Sequence, residues 1–569
     1  MASIQNTNSL TLEEIQDFKG KYPKQLWYLF LSEMWERFAF YGMRGMLTIF
    51  MVEQLKLNDH DANLQYGATQ AFVYALAFVG GLFADKILGF RKSTFWGGIL
   101  MVLGSFTLAF SPHDMFYIGI SITIVGTGFF KPNISTMVGQ LYKAGDPRQD
   151  AGFGLFYSGI NIGALVGGAL CIYVADYHGW SNPFWNNHSW NIAFSLAGIG
   201  MTLGLIIFIF TKRTLGPIGL SPLAGKFSTN KIRLYDIMVY AGSLLIIPFI
   251  LLLVQKSDYT DKFMYTIGPL ALVYIIYEIF RCGGLNEKKR KGGVLYTITL
   301  LPVIAAVAYC NSSSYAATGL VGVGIFIDLV AVAYILFGVF RYFSHIQQKI
   351  VVALVFIIFS IFFWAFFEQA GGSLSLFARY NLHHQVLGLN IDPNAINNSS
   401  NSLFVILFSP FVGLLWLWLN KKKFEPNTVV KFGLGFLFVS LAFYIFYYTR
   451  FFADVQGMTS LNVFTLAYLV ITLGELCLSP ISMSIMTKLS PQRLHGVMMG
   501  LLFLASAYGQ YFAGIFGADM SVTTPGATLH DKLMAYTEGY KGLSVYALVL
   551  GVVLIVASPL IRKLMHEIH

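Results

Sequence analysis

Apolar residues run through this chain in blocks longer than the helices of an ordinary soluble core. Stretches able to cross a bilayer fall near 26–52, 66–90, 93–111, 116–141, 152–176 and 190–211, then near 236–255, 264–280, 294–310 and 318–340. Six more follow, near 352–378, 402–420, 430–449, 461–487, 495–518 and 541–561. A hydrocarbon layer about 30 Å thick takes roughly 20 residues of helix. In lipid each block has to be helical, because a lone strand would leave its backbone N–H and C=O groups without partners. The pattern predicts an all-α polytopic membrane protein of 16 spans, or 14 if the middle of the chain contributes one hairpin fewer.

Loop lengths then divide the chain. After a polar tail over 1–25, residues 26–212 hold six closely connected spans and 350–569 hold six more. Between them, 213–349 reads as inserted transmembrane hairpins joined by the basic run Lys288–Lys291. Two six-span blocks about a central connection are the arrangement of the major facilitator fold, in which two bundles rock about a midplane site. That likeness of architecture names no substrate.

Composition agrees with the pattern. Of 569 residues, 56% are hydrophobic and 12% charged, against about a quarter charged in soluble domains. The net charge of +10 could pass for a nucleic-acid footprint, but its placement excludes one. With the N-terminal tail inside, alternate loops hold 28 of the 38 Lys and Arg residues, the opposite loops hold seven, and Arg37, Arg44 and Lys131 lie within spans. Such a bias puts the basic loops and both termini in the cytoplasm. The tail has no signal-peptide pattern, so the first span is expected to be retained. Cys171, Cys282, Cys310 and Cys477 sit in apolar stretches without metal-ligand spacing and read as core packing. His383 and His384 fall in an outer loop and read as solvated.

Ionisable groups inside a span are costly, so they mark pathways or partnered sites. The first span carries Glu33, Glu36, Arg37, Phe40, Tyr41 and Arg44. At 100° per residue, positions 33, 37, 40, 41 and 44 share one face with Glu36 beside them. That face lines an aqueous cavity or meets partners of opposite charge. A structural ion-pair network is the plainer alternative, yet two carboxylates near one guanidinium exceed what a single pair needs. Like charges in low dielectric resist ionising together, which leaves one carboxylate able to carry a proton. Lys131 stands at mid-span in Gly126-Thr-Gly128-Phe-Phe-Lys131-Pro132-Asn133 and calls for a carboxylate or an anionic ligand. In the second half, Glu368 follows Phe363-Trp364, Glu475 precedes Ser479-Pro480, and Asn401 opens the span after the 379–400 loop. Buried cations in one bundle and buried anions in the other suit a dipolar, proton-linked ligand of amino-acid or peptide size.

These stretches resemble the proton-dependent oligopeptide transporter family across the 12-span core. The motifs are Glu33-x-x-Glu36-Arg37-Phe38-x-Phe40-Tyr41-Gly42, Gly80-Gly81-x-x-Ala84-Asp85-x-x-x-Gly89, Gly126-x-Gly128-x-x-Lys131-Pro132-Asn133 with Gln140, Phe156-Tyr157-x-x-Ile160-Asn161-x-Gly163, Phe363-Trp364 with Glu368-Gln369, and Glu475 with Ser479-Pro480. The resemblance implies a proton-coupled symporter that imports di- and tripeptides by alternating access, with protons as the coupling ion and no cofactor or metal. It implies that Glu33, Glu36, Arg37, Lys131 and Glu368 couple protons to gating. Arg44 and Lys131 would hold the peptide carboxylate, and Glu475 and Asn401 its amino end. Tyr41 and Tyr74 would contact the peptide, Trp364 would wall a side-chain pocket, and Asn161 and Ser479 would complete the site.

Two positions depart from the family pattern: Phe40, where a second tyrosine is usual, and Leu502, where tryptophan is usual. Both bear on side-chain preference and leave the coupling residues intact. The short 450–460 loop and the insert favour a bacterial inner membrane, and the chain is expected to be monomeric. Two alternatives keep the fold: another peptide-like or amphipathic cargo, or a nutrient sensor that does not transport. An intramembrane enzyme is disfavoured, since no nucleophile accompanies the Glu-Arg stripe.

Overall fold

The computed structural model describes residues 10–143, 145–176, 188–282, 321–524 and 526–566, with 292, 293, 296, 298–300, 302 and 303 between them. A short helix, α1 (Leu12–Gln16), precedes six long ones: α2 (Lys24–Glu53), α3 (Asp59–Phe83), α4 (Phe90–Phe110), α5 (Phe116–Gln140), α6 (Arg148–Asp176) and α7 (Ser189–Thr214). Local sequence sets their ends. The Asn58 side chain accepts from the Asp61 N–H, and Asp59 and Asp61 put negative charge at the positive end of α3. α3 loosens into a π turn over Ala84–Leu88 and stops at Gly89, whose φ is 76°. A Cβ there would stand 2.4 Å from the Leu220 backbone, so the turn needs glycine on both counts.

The inserted stretch holds α8 (Thr229–Leu245), α9 (Ile247–Gln255), α10 (Ser257–Cys282) and α11 (Val321–Tyr342). Pro248 separates α8 from α9, since it has no N–H to continue the ladder. The second bundle comprises α12 (His345–Phe367), α13 (Ser373–Asn381), α14 (Pro393–Lys421), α15 (Thr428–Tyr448), α16 (Leu461–Leu489), α17 (His495–Asp519) and α18 (Leu529–Met565). Between α13 and α14 the chain makes a small hairpin, β1 (Gln385–Val386) and β2 (Leu389–Asn390), with Gln385 opposite Asn390. Its two turn residues, Leu387 and Gly388, both take positive φ, 50° and 81°, the conformation that suits the twist of a tight hairpin.

Twelve described helical stretches are long and apolar enough to cross a membrane. α2 and α5, the two with central charges, are as long and pack among them. Fifteen of the sixteen expected stretches coincide with described helices. The remaining one, 294–310, falls largely outside the described residues, as does the Lys288–Lys291 run. Within it, Tyr296 lies against α11, donating to the Ile335 carbonyl at 2.8 Å.

Two expectations change. The stretch 352–378 is not one straight helix: α12 ends at Phe367, a tight turn covers Glu368–Gly371, and α13 restarts beyond Gly372. Two adjacent glycines supply neither side-chain packing nor helix propensity, and the chain breaks there. Asn401 does not open its helix but stands two turns inside α14, which starts at Pro393 under an Asp392 cap. The polar run 394–402 is helical because its side chains are satisfied within the protein, as with Asn397 donating to the Ala370 carbonyl at 2.7 Å.

Each bundle buries its own apolar core, and the insert divides between them. Val239 of α8 and Ile250 of α9 join the first core, whereas Ile275 and Ile279 of α10 join the second. Lys92 pairs with Asp236 at 2.5 Å on one side, and Arg493 reaches Glu278 at 3.3 Å on the other. The hairpin therefore lies across the seam between bundles.

Candidate functional site

α2 brings its charged stripe to the centre of the molecule. Glu33, Glu36 and Arg37 are buried, 3%, 0% and 3% exposed, so their charges have only one another and their neighbours in place of water. Arg37 Nε lies 3.0 Å from Glu33 and also pairs with Glu36. One guanidinium thus serves two carboxylates, as their spacing on the helix predicts. Oε2 of Glu33 and both oxygens of Glu36 have no hydrogen-bond donor of good geometry. The cluster is charge-balanced poorly and bonded sparsely, the condition in which a proton is the cheapest added partner.

One and two turns further along, Phe40 and Arg44 continue the face. The Phe40 ring lies between two cations, 5.4 Å from Arg37 and 5.9 Å from Lys131. The ring's negative face attracts both cations. Arg44 Nε donates to the Tyr66 hydroxyl at 2.7 Å, and its outer nitrogen pairs with Glu368 of the other bundle. Tyr41 sits under the same guanidinium, 5.6 Å from its ring.

Lys131 reaches mid-membrane on α5, which packs tightly enough to hold it. A Cβ on Gly80 of α3 would stand 2.2 Å from the Gly128 carbonyl, so only glycine admits this crossing. Pro132 leaves the Gly128 carbonyl without its ladder donor, and next to it the Asn133 side chain donates to the Phe129 carbonyl at 2.6 Å and to Ser93 at 2.7 Å, tying α5 to α4. The Lys131 ammonium rests 3.8 Å over the Tyr74 ring. Among the described residues no carboxylate lies within ion-pair distance of it, although Glu36, Glu368 and Glu33 are close enough to act on it electrostatically. Of the two partners expected from sequence, a carboxylate or an anionic ligand, no carboxylate pairs with Lys131 among the described residues, and its ammonium rests on an aromatic face.

From the second bundle, Glu475 of α16 accepts from Asn401 of α14 at 2.8 Å, and Asn401 also reaches Thr472 at 3.2 Å. Tyr74 lies close enough to Arg37, Arg44, Glu368 and Glu475 to feel the charges of all four, so charged groups of both bundles gather around it. Trp364 packs edge-on against Phe363 and Phe367, with its Cβ close to Gly509. Leu502 is buried, 7% exposed, on α17. Asn161 is turned to its own helix, donating to the Tyr157 carbonyl at 2.9 Å. The Ser479 side chain lies outside those described.

A family model described as the POT family matches residues 91–241 and 327–528, more than half of the sequence. The chain belongs to the POT family. The peptide transporter YePEPT of Yersinia enterocolitica is 31% identical over 561 residues, which cover 96% of each protein. Dipeptide and tripeptide permease B of Aeromonas hydrophila is 28% identical over 96% of this chain and 94% of its own. A crystal structure of peptide transporter POT in complex with sulfate superposes with a TM-score of 0.71 at 26% identity, over 98% of this chain and 100% of that one.

Sequence reasoning about this POT-family chain missed the residues that join its bundles. Thr48 donates to the Gly371 carbonyl at 2.5 Å, and Tyr66 packs on the same glycine. Arg379 meets Glu53 at 2.5 Å. Asp59 accepts from Tyr380 at 2.9 Å, Lys532 at 3.0 Å and Tyr536 at 3.3 Å. The Gly371-Gly372 pair is the one sequence feature that could have pointed to them, since adjacent glycines weaken a helix where its carbonyls then need other partners. These bonds cluster at the end of the molecule opposite the basic loops, and they hold that end closed. Among the described residues no group of His, Cys, Asp or Glu is arranged to hold a metal.

Proposed function

We propose that this chain is a proton-coupled symporter that imports di- and tripeptides by alternating access, using protons as the coupling ion and no cofactor. The observation that carries this reading is the division of charge between the two bundles around Tyr74. Among the described residues, the first bundle offers an ammonium, Lys131, that rests on aromatic rings with no ion-pair partner, and the second offers a carboxylate, Glu475, bonded to the neutral Asn401. A zwitterion between them meets a complementary charge at each end. The peptide's carboxylate goes to Lys131, joined by Arg44 when the Arg44–Glu368 pair opens, and its ammonium goes to Glu475 and Asn401. Glu33 or Glu36 takes up the coupling proton, and Arg37 holds whichever carboxylate stays ionised. Trp364 and Leu502 border the side-chain pocket.

The proposed setting is a bacterial inner membrane with both termini cytoplasmic, and each chain works as a monomer. The closed end then faces outward, so this conformation releases substrate inward. Relatives named as peptide transporters and di- and tripeptide permeases support the cargo, and the loop charge bias supports the orientation. Purified protein in liposomes should accumulate a labelled dipeptide above its outside concentration when the outside is more acidic, and a protonophore should abolish that accumulation. Uptake that only equilibrates, whatever the gradient, would reject symport.

A further inference from the structure

At the basic end of the second bundle a groove of 640 Å³ opens between the α14–α15 connection and the ends of α16 and α18. Lys431, Lys488 and Arg562 line it, with Glu425 as its one carboxylate. Glu425 is already engaged: it pairs with Lys431 and accepts from Asn420, and the Lys431 contact holds its carboxyl below the usual carboxylate range. Lys488 and Arg562 are exposed and make no ion pair or hydrogen bond among the described residues. Lys421 and Lys423 stand exposed at the rim. The groove is thus a concave site with two uncommitted cations, at the level where the helices leave the hydrocarbon.

We propose that this groove binds the headgroup of an acidic phospholipid. The phosphodiester lies between Lys488 and Arg562, and the acyl chains run along the end of α14. The exposed side chains there fit that occupant: Leu417 is 62% exposed and Trp418 56%, with Phe424 at 78% beside them. A free phosphate would meet the two cations alone, whereas a lipid would also cover the exposed apolar side chains at the end of α14 beside the groove. Tryptophan at the membrane interface with basic pockets between span ends is the arrangement that recognises anionic headgroups. All lining elements belong to one bundle, so the site persists while the bundles rock.

The test is lipid retention by the full chain in detergent, read by native mass spectrometry with phosphatidylglycerol or phosphatidylcholine added. The wild type should retain phosphatidylglycerol preferentially. Removing two basic side chains at a membrane surface is expected to cost about thirtyfold in affinity, so the double variant Lys488→Gln with Arg562→Gln should lose it. The charge-preserving Lys488→Arg with Arg562→Lys should retain it, as should the rim pair Lys421→Gln with Lys423→Gln. An equal loss in the rim pair would reduce the effect to general surface attraction and overturn the site. So would wild-type indifference between the two lipids, or displacement of the lipid by millimolar inorganic phosphate.

Discussion

Glu33, Glu36 and Arg37 are buried without full partnering. Arg37 serves both Glu33 and Glu36, and neither carboxylate is completed by hydrogen bonds of good geometry. Glu33→Gln or Glu36→Gln is expected to abolish gradient-driven accumulation while leaving exchange of labelled for unlabelled peptide across the membrane. Normal accumulation by either variant would make that carboxylate structural. Tyr66→Phe removes the hydroxyl that receives Arg44 at 2.7 Å. A lost hydrogen bond to a charged group is worth about 1.5–3 kcal/mol, so peptide affinity should change by roughly tenfold to a hundredfold if Arg44 joins the peptide site. Unchanged affinity would separate Arg44 from the ligand. The charged members of this site were legible in the sequence because a charge within a span demands an explanation. Tyr66 and Thr48 were not, since a hydroxyl on an apolar helix is unremarkable until its partner on another helix is known.

At the scale of elements, glycine decides which helices touch. Gly67 of α3 meets Gly514 of α17 so closely that a Cβ on Gly67 would stand 2.7 Å from the Gly514 Cα. This contact joins the two bundles near the closed end. Gly67→Ala should therefore weaken closure and slow transport, with overpacking of about 1–3 kcal/mol. Gly413→Ala, where a Cβ meets nothing within 4 Å, should be neutral. Paired transport rates of the two variants test this, and equal rates would remove the role assigned to the α3–α17 crossing. Helix positions were legible from apolar run length alone, and the described helices follow them closely. The break after α12 was not read, because hydropathy stays high across Gly371-Gly372 and the span looks continuous. The polar start of α14 was likewise read as loop, since its asparagines look solvated until the helices that receive them are in place.

At the scale of the whole molecule, two bundles are held together at one end by bonds that a transport cycle has to break. Asp59 gathers three donors from α13 and α18, and Glu53 pairs with Arg379. Asp59→Asn should shift the population toward opening at that end. Spin labels at Lys56 and Leu387, one on each bundle, should report a longer and broader distance in the variant than in the wild type. An unchanged distribution would show that the Asp59 bonds do not hold the closure. The two-bundle plan was legible from loop lengths and charge placement. The division of the insert between both cores was not, because which bundle a helix joins depends on packing that no single-sequence pattern encodes.

The central claim is that a peptide bridges the bundles by its charged termini, and binding by the Glu475→Gln variant tests it most directly. Affinities should be measured for a free-amino dipeptide and for its N-acetylated form. Removing one partner of a desolvated charge pair costs roughly 2–5 kcal/mol, or about thirtyfold to several thousandfold. The free-amino peptide should weaken by that much, while the acetylated form, with no ammonium to lose, should change little. Equal weakening of both ligands would contradict the account, because Glu475 would then be shaping the site without holding the peptide's amino end.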